Sequence, residues 1–346
     1  MPPRERDFLD LARRALDRRE ILLQDPATTC ARLCHGRADQ LPGVFVDRYA
    51  QGLTLILHLG TPGLPSDPRP QPLAEAFLRA AEPLGAAAIY YKPFVRDRSA
   101  LGGRLDRVLS DPQPLVGQSL PEAITVLEHA VPFEVRLYDG FSTGLFLDQR
   151  ENRRAVADLA RPDRGARVLN LFCYTAGFSV ASARAGAITT SVDVSARTLD
   201  WARRNFALSA LDPGRHFFAR MGSMEFLALA ARKGHRFDLV ILDPPTFGAA
   251  DKRRAVAPWS AERDYPALVR AAAAVLDPEG LRLLFCSTNT RSLCEPGALR
   301  RLLRGTLGPA AEFEPLPEAP ADFPPGEPSA SWALARVATR SELPTI

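Results

Sequence analysis

The chain has 346 residues, 46% of them hydrophobic and 24% charged, with a formal net charge of +4. That length suggests about two domains, and the balance is that of an ordinary globular protein. No apolar run approaches the roughly 20 residues of a membrane span, and "MPPRERDFLDLARRALDRRE" is too charged for a secretory signal, so a cytoplasmic protein is expected. The mild positive charge permits nucleic-acid binding without establishing it.

In chain order, residues 5–20 carry Phe8, Leu9, Leu11, Ala12 and Leu16 on one side of a helix. "TTCARLCHG" reads as a small strand with buried thiols. Its Cys30, Cys34 and His35 lack a second ligand pair at zinc spacing, so no metal site is expected. "GVFVDRYA" and "LTLILHLG" are strand-like runs around a short turn, followed by the proline-rich loop "GTPGLPSDPRPQP". A helix, "LAEAFLRAAEPLG", then leads to the strand "AAIYYKP", and "AITVLEHA" with "FEVRLYDG" forms a further hairpin. Residues 1–140 thus make a smaller α/β domain, and 141–346 a second one.

From about residue 165 strands and helices alternate strictly. "ARVLNLF", "ITTSVDVS", "HFFAR", "FDLVILD" and "LRLLFCS" are each followed by a helical run. Five such units predict a doubly wound parallel sheet, with "SWALARVA" as a closing, antiparallel strand. The tail "PLPEAPADFPPGEPSA" is a proline-rich loop.

Ligands of such sheets bind outside the carboxyl ends of the strands, and four of those ends carry suggestive residues. "NLFCYTAGFS" lacks the GxGxxG fingerprint but places Gly177 where a helix would begin; a plain structural turn is an equal alternative. Asp193 closes the second strand about 20 residues on, suited to accept from ribose hydroxyls; it also suits a helix cap, a role open to Ser195. In "FDLVILDPPTFG", prolines that a buried sheet does not tolerate build a stiff turn beside an acid and a ring. "LLFCSTNT" brings Cys286, Ser287 and Asn289, where a cysteine is more often buried than catalytic. Without a phosphate-cradling loop, S-adenosylmethionine fits these ends better than NAD.

"FSTGLFLDQREN", "VLNLFCYTAGFSV", "VDVSARTLDWARRN" and "DLVILDPPTF", in this order, resemble the bacterial 23S ribosomal RNA methyltransferases that modify cytosine C5 or guanine N7. Upstream, "GRADQLPGVFVDRYAQGLTL" resembles the central domain of that family. The resemblance implies a Rossmann-like class I methyltransferase domain preceded by an RNA-binding α/β domain, with S-adenosylmethionine as cofactor and ribosomal RNA as partner. Many cytosine-modifying members carry an N-terminal PUA domain, and this chain is expected to begin after it. By resemblance, Asn170, Phe172, Tyr174, Thr175 and Gly177 line the methionine end of the cofactor, and Asp193 holds its ribose. Thr143, Gly144, Asp148 and Arg150 sit near cofactor and substrate at the mouth between domains; a domain-joining turn with Asp148 as a helix cap is the plainer alternative. Asp243, Pro244, Pro245 and Phe247 face the target base, with Asp243 also near the cofactor.

Two positions depart from the family pattern. Gly222 stands where an acid usually accepts from the adenine amino group. Cys286 comes one residue earlier than the cysteine of cytosine-C5 members, and one step along a strand reverses the side-chain direction. Cytosine C5 needs a thiolate added at C6, whereas guanine N7 already has a lone pair, so the offset favours transfer without a covalent intermediate. RNA contacts are expected from "RDRSALGGRLDR" and "DKRRAVAPWSAERDY", with Trp259 or Phe247 stacking on a displaced base. Competing readings are a small-molecule methyltransferase, an NAD-linked oxidoreductase and a non-catalytic RNA-binding relative.

Overall fold

The structure, a computed structural model, describes residues 7–61, 70–95, 103–160, 165–248, 259–327 and 330–338. The chain divides into two compact units, Met1–Arg150 with Ala319–Glu327, and Glu151–Glu318 with Pro328–Ile346.

The first unit opens with the helices α1 (Phe8–Asp17) and α2 (Glu20–Leu23). It continues with β1 (Cys30–His35), β2 (Val44–Tyr49), β3 (Gly52–His58), α3 (Pro70–Ala80) and β4 (Ala88–Phe94). After these come α4 (Gly103–Leu109), β5 (Val116–Gly117) and a hairpin of β6 (Ile124–Glu128) and β7 (Val131–Val135). Strands β1 to β5 form one sheet in chain order, parallel only between β3 and β4. The expected apolar stripe of α1 is buried at Leu11, Ala12, Ala15 and Leu16, in one core with Leu53, Leu55 and Leu57 of β3 and Phe77 of α3. Period-two alternation along β3 puts those leucines on one face. Cys30 and Cys34 are buried free thiols on β1, and among the described residues no cluster of three metal-ligating side chains occurs.

The first unit also holds three arginine–aspartate pairs, two of them buried and the Arg32–Asp47 pair partly so. Arg19 meets Asp39 at 2.7 Å, and Arg32 meets Asp47 at 2.7 and 3.0 Å. Arg150 reaches Asp322 at 2.5 and 3.2 Å, with side chains 1% and 0% exposed. Asp322 also accepts the Arg32 backbone N–H at 2.8 Å, while the Arg32 guanidinium lies 4.5 Å over the Phe323 ring. Residues 319–327 of the proline-rich stretch therefore act as a clamp, Asp322 being tied to residues 172 and 290 positions away in sequence. Next to it, burial and the Arg32 and Arg19 charges push His35 down to about 4, leaving it neutral with Nδ1 3.2 Å from an Arg32 nitrogen.

The second unit holds α5 (Arg150–Leu159), whose first residue belongs to the first unit, and then the alternation read from sequence. The elements are β8 (Arg167–Leu171), α6 (Gly177–Arg184), β9 (Ile188–Asp193), α7 (Ala196–Leu208), β10 (Phe217–Arg220) and α8 (Ser223–Lys233). After β11 (Leu239–Leu242) come two short paired segments, β12 (Phe247–Gly248) and β13 (Trp259–Ser260). The unit ends with α9 (Ala261–Ala273), β14 (Leu283–Thr288), α10 (Ala298–Leu307), β15 (Glu312–Glu314) and β16 (Ser331–Arg336). Seven strands pair in the order β10-β9-β8-β11-β14-β16-β15. The first five are mutually parallel, and β16 is antiparallel to both neighbours. The doubly wound sheet and its closing strand are as the sequence predicts; the edge strand β15 is additional. Apolar runs such as Leu239–Leu242, buried throughout, are what a sheet covered on both faces requires.

Breaking a buried pair leaves an uncompensated charge, at a cost of about 3–5 kcal/mol. Asp322→Ala is therefore expected to destabilise the protein by that amount in chemical denaturation. Asp10→Ala, which removes only the exposed pair with Arg13, is expected to change stability by under about 1 kcal/mol. Equal effects from the two substitutions would contradict the clamp.

Candidate active site at the strand tips

Strand order reverses at β8, which has β9 on one side and β11 on the other. Crevices open at such switch points because successive connections leave in opposite directions. The register brings the tips level: Leu171 of β8 is opposite Val192 of β9 and Leu242 of β11, and Leu242 is opposite Cys286 of β14. The next residues are Phe172, Asp193 and Asp243, so three adjacent strands release their chains at one height. Two strand spacings, roughly 10 Å, separate the Asp193 and Asp243 positions.

Between β8 and α6 the loop has an unusual backbone. Phe172, Tyr174 and Ala176 have φ of 56°, 50° and 63°, all left-handed and none of them glycine. Each such residue costs about 1–2 kcal/mol, which the surroundings must over-determine. The contacts that do so are visible. Cys173 N–H donates to Val192 O at 3.0 Å, Tyr174 N–H to the Asp193 carboxylate at 3.1 Å, and Ala176 N–H to Cys173 O at 2.7 Å. Asn205 Nδ2 holds Thr175 O at 2.9 Å. These three left-handed residues stand at alternate positions, and α6 starts directly after them at Gly177. Its N-cap, Ala176, supplies no side-chain acceptor to the N–H groups of the first turn.

Asp193 is fixed from several directions. Beyond Tyr174 N–H, it accepts from Ser195 N–H at 2.9 Å and from Thr198 Oγ1 at 3.2 Å. The cap of α7 is Ser195, which accepts from Thr198 N–H, so Asp193 is not spent on capping. Burial raises the Asp193 carboxyl above its ordinary range, and the N–H groups of Ser195 and Tyr174 pull against that rise.

The turn after β11 is braced on both sides. Trp259 Nε1 donates to Pro245 O at 2.8 Å, and the Trp259 ring lies 5.4 Å from that of Phe172. Thr246 Oγ1 donates to Asn289 Oδ1 at 2.5 Å, and Thr246 O accepts from Ala261 N–H at 3.0 Å. Trp259 is thus committed to holding the turn. Phe247 is 77% exposed, an unusual state for a phenylalanine in an ordered turn. Pro244 is buried, Pro245 exposed and Asp243 half-buried.

The remaining candidates fall into three groups. Asn170 and Thr175 are buried beneath the tips, and Asn170 Nδ2 donates to Ser179 Oγ at 3.0 Å, tying β8 to α6. Cys286 is 0% exposed in the core beside Tyr265, and its thiol is pushed up to about 12 by burial. Thr143, Gly144, Asp148 and Arg150 belong to the first unit. There Thr143 Oγ1 donates to Tyr49 OH at 2.8 Å, and Asp148 adds to the field that keeps Arg32 charged. Gly222 caps α8 with open space where a side chain would stand, the Glu225 carboxylate oxygen lying 4.0 Å from that point. Of the two arginine-rich stretches, residues 96–102 and 251–258 lie outside the described residues. In the described part, Arg263 is exposed and paired with its neighbour Asp264 at 2.7 Å. Sequence reasoning missed Tyr265, whose buried hydroxyl lies 2.8 Å from Ser287 O; an aromatic in an amphipathic helix gives no signal that its oxygen serves a neighbouring strand.

Comparison with known proteins decides what these tips belong to. Residues 31–336 match the family model for S-adenosylmethionine-dependent methyltransferases. The chain belongs to that family. It is 34% identical over 286 residues to YwbD of Bacillus subtilis, assigned as a ribosomal RNA large subunit methyltransferase, covering 82% of this chain and 66% of that one. A ribosomal RNA large subunit methyltransferase of Deinococcus radiodurans is 35% identical over 251 residues, covering 72% and 57%. This chain therefore spans less than two thirds of the length of these relatives. The crystal structure of SMU.776, assigned as a methyltransferase and complexed with SAH, is 26% identical with a TM-score of 0.79, covering 97% of this chain and 83% of that one.

The tips fit the S-adenosylmethionine of this family. The N–H groups of Cys173, Tyr174 and Ala176 are already engaged, so it is the N-terminus of α6 at Gly177 that suits its carboxylate, and Asp193 suits its ribose hydroxyls. Asp193→Asn keeps the shape but weakens acceptance, so it is expected to reduce cofactor affinity about ten- to hundredfold, or roughly 1.5–3 kcal/mol. Because the Asp193 carboxyl sits above its ordinary range, affinity should fall on acidification from a higher pH than an ordinary aspartate would give. Calorimetric titration across pH reads both effects; an unchanged dissociation constant in the variant would refute the assignment.

Proposed function

We propose that this chain methylates a base of large-subunit ribosomal RNA, using S-adenosylmethionine. The observation that carries the reading is the level alignment of the Asp193 and Asp243 tips around β8, with the exposed Phe247 ring on the same turn as Asp243. It is supported by the names of relatives such as that of Deinococcus radiodurans. The cofactor supplies a methyl group activated on a sulfonium. The residues of the chain supply placement: the loop 172–177 and Asp193 hold the donor, while Asp243, Pro245 and Phe247 form the wall against which a base rests. The buried Pro244 stands behind them rather than facing the base as the sequence suggested. Prolines at 244 and 245 leave the turn without backbone donors at those positions, and an exposed ring offers a stacking face to an extruded base. Alignment of two reactants of this kind contributes on the order of 7–11 kcal/mol.

The state of Cys286 bears on which atom is methylated. Burial pushes the Cys286 thiol up to about 12, away from the thiolate at neutral pH, and its side chain has no exposed surface. This favours a base atom that already carries a lone pair, such as guanine N7, over cytosine C5. Phosphate contact falls, in this reading, to the first unit and to the arginine-rich stretches.

Mass spectrometry of ribosomal RNA from a strain lacking the protein tests the substrate. One methylated large-subunit nucleotide is expected to disappear, and to return when the purified chain and S-adenosylmethionine are added to that RNA. Cys286→Ser is expected to retain activity within about threefold and to trap no adduct on fluorocytosine RNA. A wild-type adduct that Cys286→Ser abolishes would overturn the non-covalent route; unchanged methylation in the deletion strain would overturn the substrate.

A further inference from the structure

The first proline after β11 has no N–H to give at a rung that the register locates. Strands β11 and β14 are parallel, with Val240 opposite Leu284 and Leu242 opposite Cys286, and Leu283 N–H donates to Asp238 O at 3.1 Å. In a parallel ladder a residue bonds to the neighbours on either side of its partner. Starting from the Leu283 bond, the rungs alternate up the pair: Leu242 N–H goes to Phe285 O, Ser287 N–H to Leu242 O, and the N–H of residue 244 to Ser287 O. Residue 244 is proline and has no N–H. At that place the Tyr265 hydroxyl lies 2.8 Å from Ser287 O and 3.3 Å from Leu242 O. Tyr265 is fully buried on α9, packed among Leu242, Cys286 and Leu268 in the core of the unit.

We propose that Tyr265 is the positioning residue of the Asp243–Phe247 turn: its phenol donates to Ser287 O the hydrogen bond that Pro244 does not give. This rests on the reading of the turn as the wall that faces the target base. The exchange explains how β11 ends inside a sheet rather than at its rim. A peptide N–H at 244 would draw the chain one rung further along β14. With proline there and a phenol closing the gap, the chain leaves the sheet at Asp243 while β14 continues to Thr288. The turn is then held at its root by Tyr265 and at its far side by Trp259 and Asn289. Burial keeps the phenol protonated well beyond neutral pH, so it stays a donor.

A double-mutant cycle tests this in the full chain. Tyr265→Phe removes one oxygen from a fully buried ring and is expected to lower Tm by about 2–5 °C. In a Pro244→Ala background residue 244 has its own N–H, and the same tyrosine change is expected to lower Tm by less than about 1 °C. With ribosomal RNA as substrate, Tyr265→Phe alone is expected to lower kcat about tenfold, with the S-adenosylmethionine dissociation constant within twofold of wild type. Equal Tm shifts in both backgrounds would overturn the hydrogen-bond exchange, and wild-type kcat in Tyr265→Phe would overturn the positioning role. If the wild-type protein leaves ribosomal RNA unmodified, the substrate reading fails; the Tm cycle, which needs no substrate, still decides the exchange.

Discussion

Everything in the second unit depends on the register of three parallel strands. Because Leu171 stands opposite both Val192 and Leu242, the chain leaves β8, β9 and β11 at one level. Switch points of this kind are where doubly wound sheets bind ligands, because successive connections leave in opposite directions. A slip of one residue would turn Asp193 or Asp243 to the other face of the sheet. The buried leucines, isoleucines and valines of these strands are what prevents it, since every one of them would be displaced together.

The cost of the arrangement is concentrated in its loops. Three left-handed residues follow β8 and two prolines follow β11, and neither feature is favourable in isolation. Each is held by side chains from other elements: Asp193 and Asn205 for the first loop, Trp259, Asn289 and Tyr265 for the second. Strain and the proposed site share the same short stretches, which is where a stable scaffold must over-determine the backbone.

Much of this was legible in the sequence, for identifiable reasons. Strict alternation of buried strands and amphipathic helices announces a doubly wound sheet, and such a sheet has its ligand edge at known chain positions, so Asp193 and Asp243 stood out from pattern alone. What stayed hidden depended on long-range partners. Asp322 lies in a stretch of prolines, with nothing local to show that it neutralises Arg150. The left-handed φ at Phe172 and Tyr174 has no glycine to signal it. Tyr265 reads as one more apolar position on α9, and its role appears only once the rungs between β11 and β14 are counted. Cys286 shows the opposite case, since its one-residue offset was visible in the sequence, and the thiol lies in the core.

Hydrogen–deuterium exchange with and without S-adenosylmethionine tests most directly whether these tips form one ligand edge. The account predicts new protection in 172–178, 193–198 and 243–248 together, with little change along β15, β16 and α10. Protection confined to one of those three segments, or appearing away from the strand tips, would contradict it.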